Sequence, residues 1–122
     1  MNTVLWIVQG LLTAAFLGAG LLKLSKSKAE LAPKMPWVEG FSSTSVKLIG
    51  AAEALGGLGL ILPQVTGILP LLSLVAAAGL IVIMLGAAVT HLRRKEMGAM
   101  VPSLVLAALL AFLVFGRFFL VR

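Results

Sequence analysis

The chain is 122 residues long, 61% hydrophobic and only 11% charged, with a mean hydropathy of +1.15. Soluble domains carry about 25% charged residues, so this composition excludes an ordinary water-soluble fold and implies an integral membrane protein of about four spans of roughly 20 residues. The absence of cysteine excludes disulfides, thiolate metal sites and a thiol relay carried by this chain. The net charge of +6 sits between apolar runs, where it marks membrane topology more economically than nucleic-acid binding.

The first apolar run covers residues 3–24. It lacks the positively charged start of a secretory signal and is read as an anchor kept in the mature protein. The connection that follows, residues 25–45, is rich in Leu31, Met35, Trp37, Val38 and Phe41, too apolar for a free linker. It is expected to lie on the membrane surface with Trp37 and Phe41 at headgroup level, and Pro33 and Pro36 argue against one continuous helix. The second run, residues 46–62, is preceded by Ser42, Ser43, Thr44 and Ser45, whose hydroxyls suit the free amides of a helix start. Pro63 is expected to close it. A third span covers residues 69–91 and a fourth 100–121, with Pro70 and Pro102 in their first turns, where a missing amide hydrogen costs nothing. The expected fold is therefore all-α: one membrane domain, residues 1–122, forming an antiparallel four-helix bundle.

Basic residues set the expected orientation. Lys23, Lys26, Lys28, Lys34 and Lys47 surround the first connection, and Arg93, Arg94 and Lys95 occupy the third, whereas the second carries no charge. The positive-inside rule then puts the first and third connections in the cytoplasm and both termini outside. The expected setting is a bacterial inner membrane, with Arg117 and Arg122 anchoring the last span at the opposite interface.

Helices in lipid associate through small residues and a few polar contacts. Gly10, Ala14 and Gly18 in the first span, Gly50, Ala54, Gly56, Gly57 and Gly59 in the second, and Ala76 to Gly79 with Gly86 in the third read as packing grooves within the chain, a homo-oligomer being the alternative use.

Glu53 stands alone in an apolar run, and an ionisable residue inside a membrane span is a functional-site hypothesis by default. Lys23 ends the first span and Thr90-His91 the third, so alternating topology brings all of them toward one membrane face. Glu53 lies roughly 9 Å along the helix from that face, within reach of a lysine that would ease its burial. Two readings stay open. The first makes Lys23 and Glu53 a tie between helices. The second makes Lys23, Glu53 and His91 a polar pocket able to hold a quinone carbonyl, a proton or a headgroup, with Thr90, Met84 and Trp37 as secondary lining. No catalytic residue is assigned. One histidine and dispersed glutamates supply no metal site.

A wider pattern joins these residues: Gly18-Ala19-Gly20-Leu21-Leu22-Lys23-Leu24, then Leu48-Ile49-Gly50-Ala51-Ala52-Glu53-Ala54-Leu55-Gly56-Gly57, then Leu62-Pro63, Met84-Leu85-Gly86-Ala87 with His91, and Pro102. In their order and spacing the chain resembles the DoxX-like family of small four-helix membrane proteins. The resemblance spans nearly the whole chain and implies a four-helix bundle with Lys23, Glu53 and His91 at family-typical positions. The broader family includes a membrane subunit of a thiosulfate:quinone oxidoreductase, a component needed for methylamine dehydrogenase maturation, and eukaryotic cargo receptors or receptor-assembly chaperones. It therefore implies a membrane partner or assembly factor for another protein, and nothing in the sequence points to autonomous catalysis. Quinone, the one candidate cofactor, binding at Lys23, Glu53 and His91 is the alternative. A proton-coupled exporter also suits four spans and one membrane glutamate, but such exporters resemble a pattern with the glutamate in the first span.

Overall fold

The computed structural model describes residues 2–67 and 71–117. Helix α1 (Asn2–Ser25) leads into a short α2 (Lys28–Leu31) and a 3-10 turn (Pro36–Gly40), followed by α3 (Ser43–Thr66), α4 (Leu71–Arg93) and α5 (Met97–Phe115). Four of these are long and apolar enough to cross a membrane, over Thr3–Ser25, Ser43–Pro63, Leu71–Arg93 and Met97–Phe115. Their outer faces carry Leu11, Leu48, Leu55, Leu71, Val75 and Val82, each more than 60% exposed. Such continuous apolar surface needs lipid around it, and the chain is a multi-pass integral membrane protein.

Helix ends differ from the sequence expectation where local chemistry overrides hydropathy. The start of α3 falls at Ser43, ahead of the expected Val46, because Ser42 Oγ accepts the Ser45 amide at 3.0 Å. Pro63 does not close α3: it lies inside the helix, which runs one more turn to Gly67, whose left-handed φ of 73° ends it while its N–H donates to Pro63 O. Pro102 likewise sits inside α5 and not in its first turn. The chain turns early there, with Glu96 N–H donating to His91 O at 2.8 Å and Lys95 N–H to Leu92 O at 3.1 Å around Lys95 at φ 60°. Leu69, Pro70 and the stretch from 118 to Arg122, expected to begin the third span and end the fourth, lie outside the described residues.

Close backbone approach joins α1 to α3. A Cβ on Gly20 would stand 2.5 Å from Ala54 N and Gly50 O, and one on Gly50 would stand 2.7 Å from Lys23 Cβ. Farther along, Gly57 faces Leu17 and Thr13. The contacts climb α3 as they descend α1, so the two helices run in opposite directions. Gly56 against Leu80 and Gly59 against Ala76 give the same sense to α3 and α4. The expected groove of Gly10, Ala14 and Gly18 is a different matter: among the described residues, a Cβ on Gly10 or Gly18 would meet nothing within 4 Å, and Ala14 is exposed. A Cβ on Gly79 or Gly86 would likewise meet nothing within 4 Å among the described residues. Four-residue spacing defines a helix face, but not which face meets its own chain.

Leu5, Leu12, Phe16, Leu60, Leu80, Leu110 and Leu113 form the main core. A second, smaller core belongs to the first connection: Leu31, Val38 and Val46 are buried, with Met35, Trp37 and Phe41 packed against them. The connection is held shut by its own apolar residues, and Trp37 meets Phe41 edge to face at 5.5 Å.

Candidate functional site

Lys23 lies in the last turn of α1 and passes over Gly50 to reach Glu53, one turn farther along α3. Its Nζ donates to Glu53 Oε1 at 2.6 Å, with the two side chains 8% and 4% exposed. Only a glycine at position 50 leaves room for this crossing, so the small-residue contact and the ion pair are one local design. Lys47 supports it from outside: its Nζ donates to the carbonyls of Lys23, Leu24 and Lys26 at 3.0–3.4 Å, satisfying the free end of α1.

Beside this pair lies a cavity of about 430 Å³ between α1, α3, α4, α5 and the first connection. Lys23 and Glu53 supply its buried ion pair. Its walls are Ala19, Ile49, Ile83, Met84, Gly86, Ala87, Pro102 and Leu106, and Trp37, Phe41, Thr90, His91 and Ser103 complete the lining. Lys23 Nζ stands 5.7 Å from the centre of the Trp37 ring, a cation–π contact that fixes the ring against the ion pair.

All six residues singled out from the sequence, Lys23, Glu53, His91, Thr90, Met84 and Trp37, line this one cavity. They are not all bonded to one another. His91 turns toward Glu96, with Nδ1 to Oε1 at 3.1 Å; a carboxylate only accepts, so Nδ1 carries the proton. Arg94 Nε also donates to Glu96 Oε1, at 3.2 Å. The hydrogen bond from His91 is the main cause holding the Glu96 carboxyl below its ordinary 4.5, with the Arg94 charge assisting. Thr90 spends its hydroxyl proton on Gly86 O at 2.9 Å. Met84, 6% exposed, belongs to the core and the cavity wall at once. Among the described residues, no group of three metal-ligating side chains comes together.

A second polar cluster went unread in the sequence. Gln9, fully buried in α1, donates its amide to Leu60 O and accepts from Arg117 Nε at 3.1 Å and Nη2 at 2.8 Å. The Arg117 guanidinium stacks over Trp6 at 4.5 Å. Arg117 is thus tied to α1, a contact not expected from the sequence. The available signal was a lone amide in an apolar span, three residues from a tryptophan on the same helix face. Glu96, Lys47 and Ser103 were also missed, because their partners are set by turns and helix crossings.

Comparisons with curated proteins and with solved structures find no match. The sequence model of the DoxX-like family matches residues 7–113, a stretch that includes every residue lining the cavity, and the chain belongs to that family.

Proposed function

We propose that this protein binds a small amphipathic molecule of the quinone class inside the bundle, acting as the membrane subunit that presents it to a partner. The observation that carries this reading is the cavity: about 430 Å³, mostly apolar, with the buried ion pair of Lys23 and Glu53 in its lining. Small-molecule sites combine a cleft of roughly 300–1,000 Å³ with a few convergent polar groups. A carboxylate and an ammonium held in a span for packing alone would need no open volume beside them. The basic residues near the first and third connections support a position toward the cytoplasm for this pair and outer positions for the termini. Labelling of a cysteine at Ser27 from the cytoplasmic side alone is the expected result.

The test is mass spectrometry of small molecules extracted from protein purified in mild detergent. Wild type is expected to retain a ring-bearing amphiphile that Glu53→Gln and His91→Ala lose. Bulk lipid alone in all three samples would remove the reading.

Assembly with another protein is favoured by one further observation. Gly10, Ala14 and Gly18 leave a smooth strip on α1, where a Cβ on either glycine would have no neighbour within 4 Å among the described residues, a surface that lets a helix approach closely. Mild crosslinking in native membranes is expected to capture a partner through this strip, and no captured partner would count against it.

A further inference from the structure

We infer that the cavity selects ligands bearing a hydroxyl group, so that a phenol or quinol binds in preference to a molecule of the same shape that can only accept hydrogen bonds. The inference rests on the ligand reading above and narrows it. Among the described residues, Lys23 Nζ donates one hydrogen bond, to Glu53 Oε1, and Glu53 Oε2 receives none. The ammonium has three protons and the carboxylate two oxygens, so the pair leaves donors on one partner and an acceptor on the other. Oε2 keeps some exposed surface: among the described residues, the fully enclosed side-chain polar atoms without a partner are Thr13 Oγ1 and Ser73 Oγ. Both members of the pair line the cavity.

A hydroxyl suits this arrangement because it does two things at once. It donates its proton to Glu53 Oε2 and accepts from Lys23 Nζ, closing a ring of hydrogen bonds without moving the ion pair. A ligand with only carbonyl or ether oxygens takes the lysine proton but sets its lone pairs against the carboxylate. It also leaves Oε2 unsatisfied in a low dielectric, where an unpaired polar group is costly. Two of the polar groups lining the cavity are already committed: Thr90 has given its proton to Gly86 O and His91 Nδ1–H is held by Glu96.

The test uses three ligands of one size on the full chain in lipid nanodiscs: decylphenol, its methyl ether, and decylbenzoquinone, with binding followed by calorimetry. Decylphenol is expected to bind roughly tenfold or more tighter than its methyl ether, the step a hydrogen bond to a charged group supplies. The preference is expected to vanish when Lys23→Met and Glu53→Leu are combined, a pairing that replaces the ion pair with apolar side chains of similar length. If that variant does not fold, the comparison of phenol and ether on wild type decides alone. Equal affinities for phenol and ether, with the quinone bound, would overturn this inference and leave the ligand reading standing. No binding by any of the three would overturn both.

Discussion

The two ends of the bundle carry polar clusters of opposite design. At one end Gln9 satisfies a carbonyl of α3 and receives two hydrogen bonds from Arg117, whose guanidinium lies on Trp6, so the groups close on each other across three helices. At the other end Lys23 and Glu53 meet through a single hydrogen bond and open onto a 430 Å³ cavity. In lipid a polar side chain has to find a partner in the protein. A cluster that spends its bonds internally is a clasp, and one that keeps some beside an open volume is a site. The neutral amide suits the clasp because it gives and takes bonds without a charge to bury. A charged pair is the costlier choice, and its presence beside the cavity is what separates the two ends.

The largest effect is expected at the charged end. Glu53→Leu or Lys23→Met alone strands a buried charge and is expected to cost about 3–5 kcal/mol, whereas the two together cost much less. Denaturant unfolding in detergent measures the cycle, and additive losses would remove the pair from the account. Next is Gln9→Ala, which takes the donor from Leu60 O and two hydrogen bonds from Arg117 and is expected to cost about 1–3 kcal/mol. Ligand affinity at the far cavity should be unchanged, and a parallel loss of binding would break the distinction between clasp and site.

The smallest effect is one of pH, at the rim of the cavity. The Glu96 carboxyl lies below its ordinary 4.5, so its contribution to stability is complete above that value and is lost as pH falls through the depressed one. His91→Ala removes the main cause and should move this loss up toward 4.5. Gln9 has no proton to titrate, so acid should loosen the α4–α5 turn before the clasp. Amide hydrogen exchange across pH 3–6 reads both ends, a window of about 1.5 units either side of an ordinary carboxylate. Simultaneous loosening would contradict the asymmetry.

The four spans were legible because length and hydropathy alone define them, and Glu53 announced itself as a charge in an apolar run. Lys23 followed from topology, since the first connection brings the end of the first span and the start of the second to one face. The clasp was not legible: Gln9 and Arg117 stand 108 residues apart, and only the packing of α5 against α1 joins them. The Gly10, Ala14 and Gly18 strip misled for the reverse reason, because Gly20, outside that spacing, makes the contact that sets α1 against α3. Pro63 and Pro102 misled because the helix ends are fixed by left-handed turns at Gly67 and Lys95, not by the prolines.

Each end carries one tryptophan, Trp6 on the clasp and Trp37 on the cavity, which makes the central claim directly measurable. Trp37→Phe and Trp6→Phe leave one reporter each, and a brominated decylphenol titrated into nanodiscs quenches fluorescence on contact. Saturable quenching of Trp37, with Trp6 responding only in proportion to ligand dissolved in the bilayer, is the result expected of one site and one clasp. Equal, unsaturating quenching of both would mean that the cavity holds nothing in particular and that the two polar ends serve the same structural purpose.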